Sequence, residues 1–263
     1  MNADRMKAGW LPENVYSVLL PSLAAIMVVA GWQYAVTSFQ ISPVIFPAPL
    51  DMAKASPGII GDLFHHGAIT GGEALLAFVL SCLIGVALAL MLTVSDAVFE
   101  AFYPNLVVFQ IVPKIALAPM FTFWLGIAST SRISYAILIS FFPVMLSTMS
   151  GLKRADANTL RLCRSVGASK WQTLLHVQIP YALPYFFSGA KVAATMATIG
   201  VVTGELISAN AGLGFYIIRA QSLGQTPKVF CAIVALCVLG LLVYILPVRA
   251  EAMARRWWRG GNG

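Results

Sequence analysis

The sequence predicts an all-α membrane protein with about six transmembrane helices, and three observations carry that prediction. Of its 263 residues, 59% are hydrophobic and only 10% are charged, and the mean hydropathy is +0.82. A soluble domain carries about 25% charged residues, so an ordinary water-facing surface is excluded, and the apolar content excludes disorder. Second, Val15 to Val36, Ala74 to Ser95, Ile133 to Leu152 and Val229 to Val248 contain no acidic or basic residue. Each is close to or above the ~20 residues that cross hydrocarbon. Third, lysine and arginine are unevenly shared between the two sides of these runs, which is the mark of membrane topology.

Taken in order, Val15 to Val36 forms the first span. Arg5 and Lys7 before it could open a signal peptide. The apolar stretch exceeds the ~7–15 residues of a signal core and no small-x-small cleavage site follows, so it reads as a retained anchor. Leu50 to His66 is expected along the outer membrane face, interrupted at Pro57-Gly58. Ala74 to Ser95 is the second span. A third runs from about Phe99 to Gly126 and contains Lys114; the fourth is Ile133 to Leu152. A fifth runs from about Tyr181 to Gly204 and contains Lys191, and Val229 to Val248 is the sixth. A five-span core with an accessory first helix is the variant. The expected organisation is an N-terminus over 1–14, one transmembrane domain over 15–249 with a cytoplasmic segment at 153–180, and a tail over 250–263.

With six spans both termini share one side. That side carries Arg5, Lys7, Lys153, Arg154, Arg161, Arg164, Lys170, Arg249, Arg255, Arg256 and Arg259, against Lys54, Arg132, Arg219 and Lys228 on the other. The bias places both termini in the cytoplasm. It also accounts for the net charge of +7, so nucleic acid is not an expected partner. Cys82, Cys231 and Cys237 fall in spans and Cys163 in the basic segment, with no C-x-x-C pair. The adjacent His65 and His66 point in different directions on a helix and read as interfacial. No metal site is expected. No G-x-x-x-x-G-K-[ST] phosphate loop is present, so any ATP is bound by another chain.

Lys153 to Pro184 is the most informative stretch: it is some thirty residues long, polar and basic in character, and lies between two apolar spans. Ala155 to Val166 reads as an amphipathic helix, with Leu160 and Cys163 on one side and Arg161 and Arg164 nearby. Gly167 can end it in the left-handed conformation. Ser169 can cap a second helix from Lys170 to about Val177, with Trp171, Leu174 and Leu175 on its apolar face. Pro180 and Pro184 then restrict the backbone before the next span. Two readings stay open on physics alone: a cytoplasmic helix-Gly-helix hairpin, or an amphipathic helix lying on anionic membrane lipid.

These residues carry a resemblance. Gly167, then nine residues, then Val177-Gln178-Ile179-Pro180 resembles the signature of binding-protein-dependent ABC importer permeases: EAA, three residues, G, nine residues, I-x-L-P. The EAA part departs, being Arg161-Leu162-Cys163. Phe46-Pro47-Ala48-Pro49 resembles the L-P-x-P of the nitrate, taurine and sulfonate group. Pro113 to Gly126, PKIALAPMFTFWLG, resembles its P-x-x-A-L-A-P-L-x-x-x-W-F-G. Phe142-Pro143 with Gly151, and Gly204 to Phe215, GELISANAGLGF, match further elements. Permeases for thiamine-precursor pyrimidines belong to the same group. The resemblance implies a type I importer permease with a coupling-helix hairpin in the bacterial inner membrane, importing a sulfonate, taurine, nitrate or pyrimidine-type solute. It implies no enzyme activity in this chain. ATP and magnesium are expected on two copies of a cytoplasmic ATP-binding subunit. A second copy of the permease and a periplasmic or lipid-anchored solute-binding protein complete the assembly. The expected coupling residues are Arg161, Arg164, Gly167, Ala168, Ser169, Lys170 and Trp171.

Gln110, Lys114 and Glu205 are the candidates for the translocation pathway. Lys114 stands beside Pro113 inside an apolar span, where a charge costs about 2.5–3.5 kcal/mol. Pro113 frees backbone carbonyls and is expected to bend this span, and irregular backbone at membrane depth lines a cavity. Gln110, four residues earlier, shares its face if the helix persists. The alternative is that Lys114 snorkels to an interface. Glu205 either pairs with Lys114 or marks the outer interface. Lys191 is expected to snorkel to the cytoplasmic face. Gly212 and Gly214 turn the backbone before the last span, and Trp257 and Trp258 with Arg255, Arg256 and Arg259 form an interfacial anchor. Glu73 stands where the group often has arginine. An ion-coupled secondary transporter is the rival class, but no internal repeat and no carboxylate within the four clear runs supports it. A membrane-embedded enzyme would need clustered His, Asp or Glu at the surface, and His65 and His66 are the only hint of that.

Overall fold

The computed structural model describes residues 13–260. Arg5 and Lys7 of the N-terminal segment, and the side chains of Trp257, Trp258 and Arg259, lie outside what is described. Every described regular element is helical: α1 (Glu13–Ser38), α2 (Pro49–Ala55), α3 (Ile60–Val94), α4 (Asp96–Ile111), α5 (Ala118–Leu125), α6 (Ser129–Leu152), α7 (Ala157–Ser165), α8 (Lys170–Thr173), α9 (Ile179–Ile207), α10 (Leu213–Ser222) and α11 (Thr226–Gly260). Among the described residues five helical segments are long and apolar enough to cross a membrane, and six if α4 and α5 count as one broken span.

Two boundaries differ from expectation, and the bend expected beside Pro113 is present. The helix of the second span begins well before Ala74. After α2 and a 3-10 turn at Ser56–Gly58, α3 starts at Ile60 and runs unbroken past His65 and His66. The third span is broken: α4 and α5 meet at 88° across a 3-10 turn at Lys114–Leu117. Proline pushes its predecessor out of the helical region, and Val112 (ψ 130°) and Pro113 (ψ 91°) are extended. By contrast Pro180 breaks nothing. The chain runs from Lys170 to Ile207 as one span-length helix. A proline cannot donate and crowds the carbonyl four residues back. Here a π turn at Leu174–Gln178 widens the helix just before it, and the Ile179 N–H bonds back five residues to Leu174.

The chain divides into two compact units. One joins the segment up to residue 60 with 220–231. In it Trp32, Phe46 and Phe230 pack ring against ring with centroids 5.4–5.9 Å apart. The Gln33 side chain accepts the Leu50 N–H at 3.0 Å.

The other unit holds 61–219 and 232–263, and its centre is the α6–α9 pair. Small residues let these backbones approach, as in membrane bundles generally. A Cβ placed at Gly200 would meet Ala136 Cα at 2.6 Å, and one at Gly189 would meet the Pro143 carbonyl at 2.7 Å. Ala74, Ala77 and Phe78 of α3 close the core against Ala193, Ala197 and Val201 of α9. The Ser81 and Ser140 hydroxyls, 2.6 Å apart, join α3 to α6.

Candidate functional site

The 153–178 segment folds as the helix-Gly-helix hairpin. Asp156 caps α7, accepting the Thr159 N–H at 2.9 Å and its hydroxyl at 3.0 Å. These bonds hold the Asp156 carboxyl below its usual pKa. The cap is therefore complete above the unfolded carboxylate range and weakens only as pH falls into the acid region. Gly167 sits at φ +75°. Around it the Ala168 N–H bonds to the Cys163 carbonyl at 2.9 Å and the Gly167 N–H to that of Arg164 at 3.1 Å, the crossed pair of bonds that closes a helix end. Ser169 then opens α8 with a reciprocal cap: its hydroxyl accepts from the Gln172 N–H, and the Gln172 side chain accepts the Ser169 N–H at 2.8 Å.

This frame presents Leu162 (62% exposed), Val166 (71%), Trp171 (64%) and Leu175 (55%) outward. Arg161, Arg164, Gly167, Ser169 and Lys170 are exposed beside them, and Ala168 is half-buried. Between α7, α8 and the end of α3 lies a cleft of about 540 Å³ whose lining includes Leu160, Arg164, Lys170, Trp171 and Thr93.

The pathway candidates are not brought together. Gln110 is exposed on the last turn of α4 and Lys114 is half-buried in the 3-10 turn beyond the break, so the shared helical face expected for them does not exist. The helix ends because Pro113 follows. Lys114 Nζ stands 5.7 Å from the centre of the Phe142 ring.

Glu205 does not pair with Lys114; its partners are Thr70 and Gly214. It is 2% exposed, accepting the Thr70 hydroxyl and the Gly214 N–H, each at 2.8 Å. The Thr70 oxygen also accepts the Leu213 N–H at 2.8 Å, and His66 Nδ1 accepts the Gly212 N–H at 3.1 Å. The glycines make this closeness possible. Gly212 adopts φ +106°, and a Cβ there would overlap the Glu205 carboxylate. An acid in the bundle has its oxygens satisfied by a turn and a neighbouring hydroxyl, which is what burial demands.

Sequence reasoning missed a second buried pair. Arg132 Nε and Nη2 donate to Glu73 Oε2 and Oε1 at 2.8 and 2.5 Å, with both side chains over 90% buried. The charge count places Arg132 on the side opposite the termini, and the sequence gives Glu73 no partner. The one available signal was an acid and a base at the ends of adjacent apolar runs. Lys191 likewise does not simply snorkel: it pairs with Glu251 of α11, which also pairs with Arg255. Among the described residues no group of acidic, His or Cys side chains is placed to hold a metal.

Residues 81–256 match the sequence profile of the binding-protein-dependent transport system inner membrane component family. The formylaminopyrimidine transport permease protein ThiX of Halalkalibacterium halodurans is 31% identical, over 92% of this chain and 97% of its own. The taurine transport system permease protein TauC of Escherichia coli is 28% identical over 99% and 96%. The fold superposes on a chain of the inward-facing MetNI methionine ABC transporter with a TM-score of 0.60 and 17% identity, covering 74% of this chain and 95% of that one.

Proposed function

The chain belongs to the family of binding-protein-dependent transport system inner membrane components, and from that premise we propose its solute class, its partners and the residues through which it works. It is a multi-pass inner-membrane permease subunit of an ABC importer. Its 15–249 region acts as one transmembrane domain with both termini in the cytoplasm. The solute is small and polar or anionic: a sulfonate, taurine, nitrate or a pyrimidine. Two ATP-binding subunits carry the ATP and magnesium, a second permease copy completes the pore, and a solute-binding protein delivers cargo outside.

The carrying observation is the capped hairpin with four apolar side chains turned outward among arginines and lysines. A soluble protein that buried Leu162, Val166, Trp171 and Leu175 would grip a rigid lever, since packed helices move as units. Apolar patches of this kind mark docking sites. Arg161, Arg164, Gly167, Ala168, Ser169, Lys170 and Trp171 form that contact. Co-purification of the full permease with its ATPase tests it. Leu162→Glu/Trp171→Glu is expected to insert normally, to lose the ATPase and to stop ATP-driven uptake in proteoliposomes. Retention of the ATPase by this variant overturns the docking assignment.

Gln110 and Lys114 are assigned to the solute pathway. The broken α4–α5 backbone needs water or polar partners, and an ammonium there favours an anion while still offering hydrogen bonds to a neutral pyrimidine. Lys114→Met is expected to cut uptake several-fold with ATPase binding unchanged. Lys114→Cys in a cysteine-free permease should react with a membrane-impermeant thiol reagent in at least one nucleotide state. An inert cysteine together with normal uptake by the methionine variant would place the pathway elsewhere.

A further inference from the structure

A groove of about 850 Å³ runs between the start of α9 and the end of α11, lined by Pro180, Tyr181, Leu183, Pro184, Tyr185, Ser188, Ala254 and Arg255. We propose that it binds one anionic phospholipid of the cytoplasmic leaflet, with the phosphate on Arg255 and Arg154 and the acyl chains on Leu183, Pro184 and Ala254. The inference rests on the orientation given above, which puts this end of α9 and α11 at the cytoplasmic surface.

Its walls divide by chemistry. Leu183, Pro184 and Ala254 offer an apolar floor, while Tyr181, Tyr185, Ser188 and Arg255 supply hydroxyls and a guanidinium. Tyrosine sits at headgroup level because one end of it is apolar and the other is wet. None of the lining residues is acidic. Glu251, which pairs with Arg255, is 7% exposed and already shared between Lys191 and Arg255, so one carboxylate faces two cations. Arg255 has five N–H donors, and its bond to Glu251 runs through Nη2. Arg154 adds a further cation: its Nη1 donates to the Tyr185 hydroxyl at 3.4 Å and its guanidinium carbon stands 5.6 Å from the centre of that ring. Tyr185 thus joins Arg154 to the groove. Uncompensated positive charge over an apolar trough between transmembrane helices is the chemistry that holds an anionic headgroup with its chains still in the bilayer. A free phosphate would use the arginines and leave the trough empty, so the groove is assigned to the lipid.

The test uses the full permease in detergent with phosphatidylglycerol and phosphatidylcholine, read by native mass spectrometry during delipidation. The wild type is expected to keep one phosphatidylglycerol per protomer in preference to phosphatidylcholine. Arg154→Gln/Arg255→Gln should weaken that preference by about fivefold per charge, since each arginine contributes about 1 kcal/mol. Arg154→Lys/Arg255→Lys keeps the charge and should keep the preference, which separates lost binding from lost folding. Equal retention of the two lipids by the wild type, an unchanged preference in the glutamine variant, or displacement of the lipid by inorganic phosphate overturns the proposal. Orientation is read separately, from labelling of Asn158→Cys in a cysteine-free permease by an impermeant reagent. Labelling from outside reverses the topology whatever the retention experiment gives, so the two failures are told apart.

Discussion

Gly167→Val leaves the permease in the membrane and abolishes most ATP-driven uptake. The glycine stands at φ +75° with open space around its Cβ position, so the effect comes from the backbone and not from a clash. An L-residue pays about 1–2 kcal/mol to enter the left-handed region, and a β-branched one fits it worst. That cost lowers the population of the native hairpin about 5–30-fold. The alternative turns break the paired bonds from Ala168 to Cys163 and from Gly167 to Arg164, and α7 and α8 then meet the ATPase at the wrong angle. Gly167→Pro should be worse, because proline fixes φ near −65° and removes the N–H that bonds to Arg164. Gly167→Asn is the control: asparagine tolerates this conformation at a helix end and should retain most uptake. Uptake in proteoliposomes, ATPase co-purification and membrane insertion are measured for all three. Normal uptake by the valine and proline variants sinks the rigid-hairpin mechanism.

The second large effect is on stability. Glu73→Leu strands Arg132 inside the bundle without its partner, and removing one member of a buried pair costs about 3–5 kcal/mol. Arg132→Met strands Glu73 in the same way. The double variant Glu73→Leu/Arg132→Met removes both charges and fills the space with apolar groups, which is often neutral or stabilising. The expected pattern is two unstable single variants and a double variant close to wild type, read from unfolding of the purified permease in detergent. If each single variant is as stable as the wild type, the pair is not what holds α3 to α6 at that level. If the double variant is as unstable as the singles, the loss is one of shape and not of charge.

The hairpin was legible in the sequence because everything that builds it is local. Gly167 and Ser169 act on backbone groups within three or four residues of themselves, and such contacts are written in the order of residues; the Asp156 cap is as local, but the expected helix start at Ala155 hid it. Pro113 was legible as a break for the same reason, although the 88° bend and the loss of a common face for Gln110 and Lys114 were not. Pro180 read as an interruption and is none, because the π turn that accommodates it has no pattern of its own in the sequence.

By itself the sequence determined the membrane class, the apolar runs, the bias of positive charge and the left-handed turn at Gly167. Each follows from composition or from neighbours along the chain, where bilayer thickness and backbone sterics leave little choice. Only the tertiary structure decided where the expensive groups go. Glu73 finds Arg132 across 59 residues, and Glu205 finds Thr70 across 135. Lys191 finds Glu251 on the last helix. These pairings depend on which faces of α3, α6, α9 and α11 meet. Those faces are set by the fit of small residues such as Gly189 and Gly200 against their neighbours. In lipid, where apolar burial drives helices together only weakly, that fit and the satisfaction of buried polar groups select the arrangement.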